Sequence, residues 1–241
     1  MKEKDQLGFV HRFLASDHNI PDRSMTLLLL HGTGGDENDL IPIARMIDPV
    51  GALILSPRGK VLENGLPRFF RRLSEGIFDL KDLKIRAHEL ADFQQDASKL
   101  YGFNLEQTVA VGYSNGANIA VSMLLLRPEV LAGSILFRAM VPFIPESVPK
   151  LSGKYIFMSA GLHDPIVPSS GTKDLFDLLK KTGSDVSLRW QNSGHELTRS
   201  DVGEARMAIN VFHYMNSWPQ NSMDGLRFFL RHSKILPLDD D

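Results

Sequence analysis

Five short apolar runs recur along the chain: Thr26–Leu30 (TLLLL), Ala52–Leu55 (ALIL), Thr108–Val111 (TVAV), Gly133–Phe137 (GSILF) and Lys154–Met158 (KYIFM). Each is bounded by Gly, Pro or polar turn residues. That is the pattern of strands covered on both faces, as in a parallel sheet. Ser187–Gln191 (SLRWQ) alternates and reads as a strand near an edge. Amphipathic stretches separate the runs. Leu90, Phe93, Ala97 and Leu100 share one helical face, as do Ala117, Ala120, Val121, Leu124 and Leu125 ahead of Pro128. Leu175, Leu178 and Leu179 follow a predicted cap at Thr172, with Gly183 placed to end the helix. Val202, Ala205, Ile209 and Phe212 mark a last helix, with Asp201 and Glu204 spaced like a capping box. Strand and helix in alternation predict an α/β fold: a doubly wound, mostly parallel sheet with helices on both faces.

A chain of 241 residues can bury one sizeable core. The domain is expected over 1–218, and 219–241 reads as a C-terminal extension to which the sequence assigns no role. Pro57–Leu80 breaks the alternation. It is long and rich in Arg, Phe and Gly, and long connections in compact domains tend to be functional. The formal net charge of −2 gives no reason to expect nucleic-acid binding, and no apolar span suggests a membrane. The absence of cysteine excludes disulfides, thiolate zinc sites and a cysteine nucleophile. No HExxH or other compact ligand cluster argues for a metal. The N-terminal MKEKDQLGFVHRFL lacks the apolar core of a secretory signal, so a cytoplasmic location is the expectation.

Gly112-Tyr113-Ser114-Asn115-Gly116 fits G-x-S-x-G, follows an apolar run and opens an amphipathic one. That strand–turn–helix setting lets a strained serine stand clear of the sheet end, with helix amides aimed at developing negative charge. Serine is a weak nucleophile near neutrality and needs a base and an orienting acid. Downstream, His195 sits in the turn-like Asn192-Ser193-Gly194-His195-Glu196, between the last strand and the last helix. Asp164 lies in Gly161-Leu162-His163-Asp164-Pro165, directly after KYIFM, where its carboxylate could hold the imidazole. His163 is the rival base, and Asp185 and Glu196 are fallback acids. His31-Gly32-Thr33-Gly34-Gly35 follows the first buried run. Its glycines let backbone amides approach a ligand, so the amides of Thr33 and Asn115 are the predicted oxyanion donors. His31 reads as a structural neighbour, and a phosphate loop is disfavoured because no Gly-Lys-Ser/Thr follows.

The ordered set HGTGGDE, PRGKVLENGLPRFFRR, GYSNGAN, MVPF, GLHDPIVP and SGHEL resembles the phospholipase/carboxylesterase family of α/β-hydrolases. The likeness runs from about Met25 to Trp218. It is closest in kind to small bacterial carboxylesterases, including hydrolases linked to hydroquinone response, and more distant from the acyl-protein thioesterases. The resemblance implies a triad of Ser114, Asp164 and His195, oxyanion amides from Thr33 and Asn115, no cofactor, and often a homodimer. Two departures stand out: Arg138 and Ala139 occupy places where family members tend to carry other residues, and the tail after Trp218 is longer than usual.

Acyl transfer to water from a small, short-chain ester is the expected reaction. The run from Phe137 to Lys154 holds three prolines and is too short for a large helical lid. Phe69, Phe70, Arg71 and Met140 are the predicted pocket residues. Arg58, Arg68, Arg71 and Arg72 are expected to pair with nearby acids rather than attract an anion. A thioesterase or lysophospholipase-type hydrolase and a non-catalytic ligand receptor on the same scaffold are the alternatives.

Overall fold

The computed structural model describes residues 7–15, 25–49 and 51–217. In chain order it contains β1 (His11–Leu14), β2 (Thr26–Leu30), α1 (Ile41–Ile47) and β3 (Leu53–Pro57), then the short strands β4 (Val61–Glu63), β5 (Leu66–Arg68), β6 (Arg72–Ser74) and β7 (Ile77–Phe78). There follow α2 (Leu80–Tyr101), β8 (Thr108–Tyr113), α3 (Asn115–Leu126), β9 (Gly133–Phe137), β10 (Tyr155–Gly161), α4 (Ser169–Lys181), β11 (Asp185–Gln191) and α5 (Arg199–Ser217). Seven strands form the main sheet in the order β1-β3-β2-β8-β9-β10-β11. Within this sheet, among the described residues, only the β1–β3 pair is antiparallel.

Strand periodicity explains how the apolar runs serve two cores at once. Leu28 and Leu30 of β2 belong to the core that also takes in Leu90 of α2, Leu124 of α3 and Leu175 of α4. Leu27 and Leu29 point the other way, into the second core, which also holds Ile47 of α1 and Ile209 and Phe212 of α5. All four leucines are at most 1% exposed. Each such side chain contributes roughly 1.5–3 kcal/mol on leaving water. β10 repeats the division, with Ile156 and Met158 on one face and Tyr155 and Phe157 on the other. The alternating SLRWQ run does lie at an edge, as part of β11.

Several boundaries differ from expectation. β1 was not anticipated from HRFL; it is a short antiparallel edge strand that gains its order from pairing with β3. β10 runs through Gly161, beyond KYIFM, because Ala160 and Gly161 continue the ladder with Trp190 and Gln191. Thr172 does not cap α4: the helix starts at Ser169 after Pro168, and Thr172 is buried within it. The capping box of α5 sits one turn earlier than predicted. The Asp201 carboxylate accepts from Thr198 N (2.7 Å), and Thr198 Oγ1 accepts from Asp201 N (3.3 Å). Pro57–Leu80 folds into two small hairpins, β4–β5 and β6–β7. The extension at 219–241 lies outside the described residues. Among those residues, no helix is long and apolar enough to cross a membrane.

Candidate active site

The carboxyl ends of β2, β8, β9, β10 and β11 face the same way, and the loops leaving them converge, as in open α/β sheets generally. β8 delivers Ser114 at φ +52° and ψ −112°. A non-glycine residue there costs of order 1–3 kcal/mol and persists only where its surroundings enforce it. Ser114 N donates to Phe137 O (2.9 Å), and Ser114 O accepts from Asn118 N (3.0 Å). The flanking glycines are sterically required. A Cβ on Gly112 would lie 2.6 Å from Ala117 Cα, and one on Gly116 would strike the Leu30 and His31 carbonyls.

The structure brings the three chemically matched side chains into one hydrogen-bonded line. His195 Nε2 lies 2.8 Å from Ser114 Oγ, and His195 Nδ1 lies 2.8 Å from Asp164 Oδ2. An ionised carboxylate only accepts, so Nδ1 carries the proton and Nε2 is free to accept from the serine hydroxyl. The Asp164 side chain is 1% exposed. Its other oxygen accepts from the Ile166 and Val167 amides at 2.8 and 2.9 Å, which orients the carboxylate. His163, the rival base, instead bonds Asn192 Oδ1 at 3.0 Å. Of the fallback acids, Asp185 starts β11, and Glu196 accepts from Gly194 N at 3.1 Å.

Thr33 and Asn115 both border the cavity that contains Ser114. Asn115 is the first residue of α3, where a helix has amides without intrahelical acceptors. Its side chain holds the neighbouring connection, accepting from Phe69 N at 2.7 Å. Thr33 is placed from the side: Arg68 Nη1 donates to Thr33 Oγ1 (2.8 Å), and Gly34 N donates to Pro67 O (2.9 Å). His31 completes this scaffold. Its Nδ1 donates to Gly32 O (2.6 Å), and its Nε2 accepts from Gly59 N (2.9 Å). Burial holds its imidazole below its ordinary pKa, so it stays neutral.

No family model matches this chain. Over 180 residues it is 48% identical to the Bacillus subtilis (strain 168) protein MhqD, named as a hydrolase, covering 75% of this chain and 90% of that one. The crystal structure of the Bacillus cereus carboxylesterase superposes with a TM-score of 0.81 at 44% identity, covering 85% of this chain and 94% of that one. A carboxylesterase from Mesorhizobium loti gives 0.78 at 31% identity, covering 87% and 97%. The chain belongs to the phospholipase/carboxylesterase family of α/β-hydrolases.

In this α/β-hydrolase the site cavity measures about 300 Å³. Its wall includes Phe78, Met140, Ile166 and Val167 as apolar members and Arg68 and Arg72 as polar ones. Of the four pocket residues expected from sequence, only Met140 is there. Phe69 and Phe70 are 2% and 0% exposed and belong to the core. Phe69 packs on His31, and Phe70 meets Phe78 edge-on. Arg71 points to solvent and pairs with Asp79 and Asp82. The arginine cluster is paired as expected: Arg58 with Glu37, and Arg72 and Arg68 with Glu63. Sequence reasoning missed Phe78 and the two loop residues Ile166 and Val167. It noted Arg138 only as a departure from the family. The available signal for Arg138 was physical: an arginine directly after a fully apolar strand must find partners or forfeit its solvation.

Proposed function

We propose that this chain is a serine carboxylesterase that hydrolyses small, short-chain carboxylic esters through an acyl-enzyme on Ser114. The observation that carries the reading is the continuous line from Ser114 Oγ through His195 to Asp164. His195 Nε2 takes the hydroxyl proton as Ser114 Oγ bonds to the ester carbonyl carbon. Asp164, bonded to Nδ1–H, steadies the imidazolium that results. The tetrahedral oxyanion is received by the Thr33 and Asn115 amides, aided by the positive end of α3. Collapse breaks the bond to the alcohol, which leaves with the proton from Nε2. Water then repeats the two steps and frees the acid.

The cavity supports a small substrate. Its volume of about 300 Å³ is at the low end for ligand sites. Phe78, Met140, Ile166 and Val167 offer an acyl or alkyl group an apolar wall. No helix forms between β9 and β10, so that connection supplies no helical lid.

The test is hydrolysis of p-nitrophenyl esters of graded acyl length by wild type and Ser114→Ala. Activity is expected to be highest on short chains. It should fall on the order of 10⁶-fold in the variant, the loss seen when a serine protease loses its nucleophile. Turnover unchanged in Ser114→Ala refutes the mechanism. A wild-type protein that neither turns over esters nor reacts with a fluorophosphonate supports the receptor alternative instead.

A further inference from the structure

His195 rides on the loop between β11 and α5, and that loop is held in an unusual way. Three consecutive carbonyls, those of Gly194, His195 and Glu196, each accept a hydrogen bond from a side chain at the end of a central strand. Arg138, the residue after β9, donates Nε–H to Gly194 O (3.0 Å) and Nη2–H to Glu196 O (2.7 Å). Tyr113, the last residue of β8, donates its hydroxyl to His195 O between them (3.0 Å). The Arg138 side chain is fully buried, and so is that of Asp201, its ion-pair partner at 2.7 Å. Asp201 binds the guanidinium through both oxygens and also accepts from Ser159 Oγ at 2.6 Å. Nη2 makes a further bond to Ser193 Oγ at 3.0 Å. The Arg138 backbone is itself left-handed, at φ +56°, a conformation few side chains adopt.

A buried ion pair of this kind is weak evidence for stability, because desolvation offsets most of its attraction. Its geometry has another use. The planar guanidinium spans two carbonyls on either side of His195, which a point-charge ammonium cannot do. We infer that Arg138, oriented by Asp201 and assisted by Tyr113, is a positioning residue that fixes the imidazole of His195 between Ser114 and Asp164. Arg138 borders the cavity that holds Ser114, but its guanidinium bonds the loop carbonyls, Ser159 O, Ser193 and Asp201, so it acts through the backbone that carries the base. This inference rests on the esterase reading above.

The decisive variants are Arg138→Met/Asp201→Asn, which removes the charge from both partners, and Arg138→Lys, which keeps it. The double variant leaves no unpaired buried charge, so it is expected to fold. Its kcat on p-nitrophenyl acetate should fall about 100-fold, the cost of misplacing a catalytic group by about 1 Å, with KM unchanged. Arg138→Lys should recover thermal stability without recovering kcat, and Tyr113→Phe should lose less than about tenfold. The downfield proton resonance of the His195–Asp164 hydrogen bond should weaken or vanish in the double variant. Wild-type kcat in the double variant, or full recovery of kcat by lysine, overturns the inference. A fluorophosphonate separates the two readings: failure to label Ser114 in wild type refutes the esterase mechanism, whereas variants that label at the wild-type rate refute only the positioning role.

Discussion

Replacing Asp164 by asparagine removes one charge and almost no volume, and the structure dictates which way the new amide must face. The Ile166 and Val167 amides both point at Asp164 Oδ1. In Asp164→Asn the carbonyl oxygen is therefore required on that side, and the NH₂ group turns toward His195 Nδ1. The imidazole can then only accept at Nδ1, which puts its proton on Nε2, facing Ser114, where it cannot act as a base. Flipping the amide back would leave two backbone donors against an NH₂ group, at about 1–3 kcal/mol each for a buried donor. Ile166 is partly exposed, so water relieves some of that cost. A total of about 2–4 kcal/mol holds the unproductive orientation, equivalent to about 30- to 1000-fold. Losing the carboxylate beside a forming imidazolium adds to it, giving an expected kcat loss of about 10³- to 10⁴-fold, the upper figure being that for the same substitution in trypsin. Steady-state hydrolysis of p-nitrophenyl acetate measures this, with circular dichroism to establish that the variant is folded. Asp164→Ala leaves the tautomer free and should lose no more than Asn. A folded Asp164→Asn with kcat within tenfold of wild type refutes the tautomer argument.

Thr33→Pro removes one of the two amides proposed to receive the oxyanion and should lower kcat on the order of 100- to 1000-fold, whereas Thr33→Val keeps the amide and should lose far less; equal losses in the two would assign the effect to the Arg68 contact instead. His31 is buried and neutral, with a folded pKa below its ordinary 6.5. The unfolded chain therefore takes up this proton first, so the stability due to this site is complete above about pH 6.5 and declines as the pH falls toward the folded value. Thermal melts from pH 7.5 to 5 should show a smaller acid-dependent drop in His31→Asn than in wild type, and parallel curves would contradict the assignment. Gly116→Ala drives a methyl into the Leu30 and His31 carbonyls and should cost at least about 1–3 kcal/mol in denaturant unfolding; an unchanged midpoint would mean that the elbow tolerates a side chain.

Much of this molecule is written locally. TLLLL, GSILF and KYIFM are apolar because both sheet faces are covered, and each is found in a central strand. G-x-S-x-G could be read because its glycines answer a short-range steric demand, the close approach of neighbouring backbone. That Asp164 and His195 would meet at Ser114 could be read from chain order and loop position, since loops leaving adjacent strand ends meet in space. The pocket wall was legible only in part: Met140 and the connection after β3 line it as expected, but Phe69 and Phe70 do not. Phe69 and Phe70 are consecutive, and the turn between β5 and β6 buries both, which no two-residue periodicity foresees. Phe78 reaches the cavity instead, because the hairpin of β6 and β7 folds back over the site. The antiparallel β1 exists through its pairing with β3, whose partner residues lie 40 to 46 positions away along the chain. The network of Arg138 and Tyr113 joins residues up to 82 positions apart, and its hydrogen bonds exist only once strands β8, β9 and β10 have aligned beside α5. Sequence thus specified most of the central strands and helices and the residues that meet at Ser114, which depend on neighbours a few residues away. Tertiary structure decided what lines the cavity and which side chains bond the carbonyls around His195, because those contacts are made across the sheet rather than along the chain.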